Sequence, residues 1–169
     1  MAKKQPKRIQ RKILSVTVKR MIDADGDTSW MGEYSNTPKT DYAIDRQELG
    51  DQGRNEFRYF NGPVENYKGE SPENIRKYIR QDYDRMQALQ RGDFYFLGIR
   101  AEAQIQTDSG IIQRITSGGL WQIESDSDDG YLETVQTEEL GELKKELLSF
   151  GFSRRAIATA YKNVQEKDQ

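Results

Sequence analysis

The densest set of potentially chemical side chains lies between Glu124 and Glu142. Glu124, Asp126, Asp128, Asp129, Glu133, Glu138, Glu139 and Glu142 occur there with no intervening Lys or Arg. Two carboxylates can divide acid and base roles, but no second motif accompanies this run. Ser and Asp just before a helix also satisfy its free N–H groups, and anions there suit the helix dipole. Capping accounts for only part of the set. The surplus repels itself unless something cationic binds it, so an acidic surface that meets a basic partner is the expectation. The nucleic-acid groove of another protein is one such surface.

The sequence contains neither His nor Cys. The commonest general base and transition-metal ligand are therefore excluded, as is thiolate or disulfide chemistry. No catalytic residue, metal or other cofactor is expected, and a binding protein ranks ahead of an enzyme. A carboxylate-based metal- or nucleotide-dependent enzyme remains a further alternative. Its supports are two. Asp23, Asp25 and Asp27 match the first three ligand positions of an EF-hand loop. However, Thr28 and Tyr34 stand where that loop needs Gly and Glu, and an Asp/Gly turn is the simpler reading. Ser117-Gly118-Gly119 could cradle a phosphate through backbone N–H groups, with Arg100 or Arg114 assisting, but no Walker or dinucleotide fingerprint surrounds it.

Two other groups point to partners. Tyr59, Phe60 and Tyr67, beside Arg58, could stack bases or anchor a protein interface, although a strand would bury part of them. Residues 1–20 carry eight cations and no anion, leaving 18 of the 26 cations against all 28 anions. Lys3, Lys4, Lys7, Arg8, Arg11 and Lys12 form a basic arm that could neutralise phosphates. A nucleic-acid-binding accessory protein is thus the second reading.

The elements that must position these groups follow from periodicity. Leu14, Val16, Val18 and Ile22 alternate with polar residues, predicting a half-buried strand over 13–22. Residues 30–34, 41–46 and 56–60 read as short strands. Ser71, Pro72 and Gly92 bracket a helix over 72–91. The alternation from Tyr95 through Leu97, Ile99, Ala101, Ala103 and Ile105 predicts a long strand over 94–107, with Arg100, Glu102 and Gln104 facing water or a partner. Asp108-Ser109-Gly110 turns the chain into a return strand over 111–123, kinked at Ser117–Gly119. Helices over 128–150 and from Ser153 close the chain, the second stapled by Phe152 and Ile157.

This order predicts an α+β fold: a mostly antiparallel sheet with a long hairpin, one central helix and two C-terminal helices packed on it. A disordered basic arm (1–11), a single α+β domain (12–165) and a frayed tail (166–169) are expected. The chain has 169 residues, 34% of them apolar and 32% charged, with seventeen aromatics that argue for folding. No apolar run approaches the roughly 18 residues that span a bilayer, and the basic start is not followed by a signal-peptide core. A cytoplasmic location is expected.

YFNGPVENYKGE (59–70), IRKYIRQDYDRM (75–86), RGDFYFLGIRAEAQI (91–105), ITSGGLWQIESDSDDGYLE (115–133) and ELLSFGF (146–152) resemble a family of small proteins found in phages, plasmids and other mobile elements. The resemblance covers a little over half the chain. The family brings no established activity, so no catalytic residue carries over. It implies context: accessory proteins of mobile elements often antagonise host defence by binding, as anti-CRISPR and anti-restriction proteins do. The resulting expectation is a non-enzymatic inhibitor, acting in the host cytoplasm on a nucleic-acid-binding protein or ribonucleoprotein complex through the acidic residues, with aromatic support.

Overall fold

A computed structural model describes residues 11–51 and 56–168. The long alternation forms strand β5, Phe96–Gln106, with Leu97, Ile99, Ala101, Ala103 and Ile105 buried. Both of its edges are paired. Strand β1, Lys12–Ile22, runs antiparallel along one, from Lys12 opposite Gln106 to Ile22 opposite Leu97. Along the other, β6 (Ile112–Thr116) and β7 (Leu120–Glu124) follow one another, so the kink at Ser117–Gly119 splits the return strand in two. Together with strand β8, Gln165–Asp168, these make a five-stranded sheet.

The phase of β1 differs from the simple alternation. A register shift between Ile13 and Ser15 inserts Leu14 as an extra residue. Beyond such a bulge every side chain changes face. Ile13, Val16 and Val18 therefore turn to the core, while Leu14 and Ile22 are exposed.

Helices α2 (Asp129–Ser149) and α3 (Arg154–Ala160) cover the apolar face. Leu143, Leu147 and Ile157 pack with Val16, Ala101, Ala103 and Ile105, and Leu132 and Val135 with Val18, Ile99 and Ile123. Each such buried aliphatic contributes about 1.5–3 kcal/mol. Asp128 caps α2 by accepting the Tyr131 N–H at 2.9 Å, and Ser153 caps α3 by accepting that of Ala156 at 3.2 Å. Phe152 and Ile157 share one cluster, as the staple requires.

The tail expected to fray is strand β8. It runs parallel to β1, from Gln165 opposite Thr17 to Asp168 opposite Arg20. An unpaired strand edge holds backbone groups that need partners, and the tail supplies them. Buried Gln136 of α2 adds a tie: with its amide assigned so that both neighbours are satisfied, it accepts from Arg20 Nε at 3.0 Å and donates to Glu166 Oε1 at 3.2 Å. The face opposite the helices also departs from expectation. Glu102 does not meet water; it is buried and accepts from Lys19 Nζ at 3.1 Å, with Arg114 Nε at 3.7 Å.

The chain groups into two compact units, one made by the chain up to Ala24 and from Phe96 onward, the other by Asp25–Tyr95. The second holds a three-stranded antiparallel sheet, ordered β2 (Glu33–Ser35), β4 (Tyr59–Asn61), β3 (Ile44–Asp45), and helix α1 (Pro72–Arg91). The strands are shorter than their patterns suggest because side chains satisfy much of the backbone. Asn61 Oδ1 accepts the Lys39 N–H at 2.7 Å, and Asn36 Oδ1 that of Arg58 at 3.3 Å. Helix α1 begins where Ser71 caps the Asn74 N–H and ends at left-handed Gly92, φ 79°.

The core of this unit, with Met31, Phe60 and Ile79 buried, also holds a polar network. Arg46, 2% exposed, donates through Nε to Asp51 Oδ2 at 3.0 Å. Tyr83 Oη donates to the same oxygen, and Gln87 Nε2 reaches it at 3.3 Å. Phe60 stands between Tyr34 and Tyr83, with ring centroids 5.3 Å from each. Burial, then the hydrogen bond to Asp51, pushes the Tyr83 phenol up to about 12.

Two outcomes follow. Asp51→Ala strands the buried Arg46 charge and should cost about 3 kcal/mol in urea unfolding. Tyr83 titrates higher folded than unfolded, where its pKa is about 10. Its share of stability is thus complete below pH about 10 and lost as pH rises through about 12. Tyr83→Phe should flatten that alkaline fall.

Candidate functional site

The fold sorts the eight carboxylates of the acidic segment into different tasks. Glu124 ends β7 opposite Phe96, so it lies on the sheet face away from the helices. Asp128 is the α2 cap. Glu139 is buried, and its Oε2 accepts the Gly119 N–H at 3.0 Å. Gly119 is left-handed, φ 82°, a conformation that favours glycine. Glu142 pairs with Lys145 at the surface. Asp126, Asp129, Glu133 and Glu138 are exposed.

Around the α2 axis, at roughly 100° per residue, Leu132, Val135, Gln136, Glu139, Leu143 and Leu147 gather on the buried side. Asp129 and Glu133 lie near one border of the exposed side. Glu138 lies roughly 140° from Glu133, close to Tyr131, which is 45% exposed. Asp126 and Asp128 thus lie in the turn before α2, Asp129 and Glu133 along one border of its exposed side and Glu138 along the other, with Gly130, Thr134, Thr137 and Gly141 between them. Glu124 and Glu139 do not join them.

The Ser117–Gly119 turn is not a phosphate cradle. Ser117 is buried, its Oγ accepting the Ala101 N–H at 2.9 Å and donating to the Ala101 carbonyl at 3.4 Å. The Gly119 amide is already held by an internal anion, Glu139. The Asp23–Asp27 turn is likewise engaged. Asp23 Oδ2 accepts the N–H of Gln122, a residue in the left-handed region at φ 59°. Asp27 accepts the N–H and hydroxyl of Ser29, each at 2.8 Å, and the backbone bond foremost lowers its pKa. Among the described residues, no three Asp or Glu side chains gather in a way that could hold a metal.

The aromatic expectations need correction at Phe60, which is wholly buried and cannot meet a partner. Its neighbour Tyr59 is half-buried under the Arg58 guanidinium, 5.1 Å from its ring, which Asp45 holds at 2.9 and 2.5 Å. Tyr67 donates to Asp82 Oδ2 at 2.5 Å and lies 5.1 Å from the Tyr78 ring. Burial first, then the tie to Asp82, raises the Tyr67 phenol, and burial raises the Asp82 carboxyl. The aromatics that reach the surface near the acidic segment are Tyr131 and Trp121, the latter 42% exposed. The Trp121 ring lies over Gly98, where any Cβ would overlap it. Gly98 inside the alternating β5 strand is the one sequence signal of that contact.

Of the basic arm, Lys3, Lys4, Lys7 and Arg8 lie outside the described residues. Arg11 is docked rather than extended: it donates to the Phe150 carbonyl, lies over the Phe152 ring at 5.8 Å and stands 3.5 Å from Asp108. Lys12 is the exposed first residue of β1. Among the described residues no helix is long and apolar enough to cross a membrane.

Comparison with known proteins returns no matching family model, no similar curated protein and no matching solved structure.

The division between inward and outward carboxylates is testable by stability. Glu139→Ala removes the partner of the Gly119 amide and should cost about 1–3 kcal/mol. Glu133→Ala should leave the unfolding midpoint unchanged.

Proposed function

We propose that this protein is a non-enzymatic binding protein whose outward carboxylates, Asp126, Asp128, Asp129, Glu133 and Glu138, engage a basic surface on a host nucleic-acid-handling complex. Such a complex is a defence effector of the CRISPR or restriction type in the host cytoplasm, the context implied by the resemblance to proteins of mobile elements. The observation that carries this reading is that the exposed residues from Asp126 through Glu142 include five carboxylates besides the Asp128 cap and no cation. The cations of that helix, Lys144 and Lys145, come only in its last third. Helix capping explains Asp128 and internal bonding explains Glu139. Asp129, Glu133 and Glu138 stay at the surface, and among the described residues none of the three forms an ion pair within 4 Å. Tyr131 on the same exposed side supplies an aromatic anchor of the kind that concentrates binding energy at interfaces. Carboxylates on a helix imitate a phosphate array well enough to compete for cations that hold nucleic acid.

The test is affinity capture from nuclease-treated host lysate, followed by binding measurements on the captured complex. The triple variant Asp129→Lys, Glu133→Lys, Glu138→Lys keeps the Asp128 cap and should fold. Its affinity should fall at least about tenfold, duplex DNA should compete with the unmodified protein, and higher salt should weaken binding. Undiminished affinity of the folded triple variant contradicts the reading.

A further inference from the structure

We infer that the unpaired stretch of the β1 edge, Lys12–Val16, is a docking groove for an acidic, extended segment of a partner protein. The inference is independent of the carboxylate surface on α2. Strand β8 covers β1 only from Thr17 to Arg20. Among the described residues no strand pairs with the same edge over the five residues before Thr17. Outward N–H and C=O groups there are left without a strand partner among the described residues, their alternation interrupted at the Leu14 bulge, and a strand of five residues extends about 16–17 Å.

The edge is not flat against solvent. It forms one wall of a groove of about 620 Å³ whose other wall is α3. Ile13, Ala156 and Ala160 contribute apolar lining, while Arg11, Lys12 and Arg155 contribute cations, and no Asp or Glu lines it. Lys12 and Arg155 are exposed, and among the described residues neither forms an ion pair.

Three features select the occupant. The edge offers both donors and acceptors, which an extended peptide matches and a phosphate backbone does not, since phosphates accept only. The neighbouring β8 shows that this edge accepts a parallel strand. The exposed Lys12 and Arg155 favour carboxylates on the incoming segment; a second copy of β1 would instead bring further cations against them. A bulge at Leu14 and a lysine at the edge are devices that deter indiscriminate strand pairing. An acidic segment converts the lysine from a barrier into a contact.

The experiment uses the full chain and a fluorescent peptide alternating Val with Glu, with its Val–Lys counterpart and a single-stranded oligothymidine of equal charge as comparisons. Anisotropy should show the Val–Glu peptide bound in preference to both. Lys12→Glu with Arg155→Glu, checked for folding by circular dichroism, should weaken it at least about tenfold. Hydrogen exchange should slow at the outward-facing amides of residues 12–16. If the Val–Glu peptide does not bind, or binds without that protection, the groove is not a strand-addition site. If oligothymidine binds more tightly than the peptide, the groove is a nucleic-acid contact and the inference is overturned.

Discussion

Strand β5 is hydrogen-bonded along both edges, and the larger unit is organised by that constraint. Pairing with β1 sets Val16 and Val18 on the side of Ala101 and Ala103, which gives α2 and α3 a continuous apolar floor. Along the other edge β6 and β7 pair with successive parts of β5, separated by the break at Ser117–Gly119. The break leaves a backbone amide without a ladder partner, and Glu139 of α2 accepts it. Glu139 is thus consumed by the fold, as Asp128 is by the α2 cap, and the carboxylates of α2 are sorted by which side of the helix faces the sheet.

That sorting separates structural from available charge. A carboxylate facing the sheet is desolvated and retained only because a donor meets it. A carboxylate on the outer half of α2 gains nothing from the fold beyond the first turn, where the helix dipole favours it. Mutual repulsion among the outer ones is screened in physiological salt, so the surface is tolerable while unoccupied and favourable when a cationic surface covers it.

Much of this was legible in the sequence where local rules act alone. Helix α1 starts and stops at Ser71 and Gly92 as capping requires, and the β5 alternation and the Phe152–Ile157 staple also hold. What was not legible depends on partners distant in the chain. Nothing near Leu14 signals a bulge, since the extra residue is defined by its register against β5. The polar residues 165–168 become β8 only because β1 offers an edge and Gln136 offers an anchor. Glu102 looks solvent-facing until Lys19 and Arg114 arrive from two other strands. Phe60 looked available because strand 56–60 reads as two-sided, whereas Tyr34 and Tyr83 enclose it. For the acidic segment, composition showed the surplus charge, but only the α2 register told Glu138 from its neighbour Glu139.

The most direct measurement is carboxyl footprinting: carbodiimide-driven labelling read by mass spectrometry, on the free protein and on its captured complex. Asp129, Glu133 and Glu138 should label readily when free and be protected in the complex, with Glu139 unlabelled in both. Equal labelling of those three in the free and bound states would contradict the account.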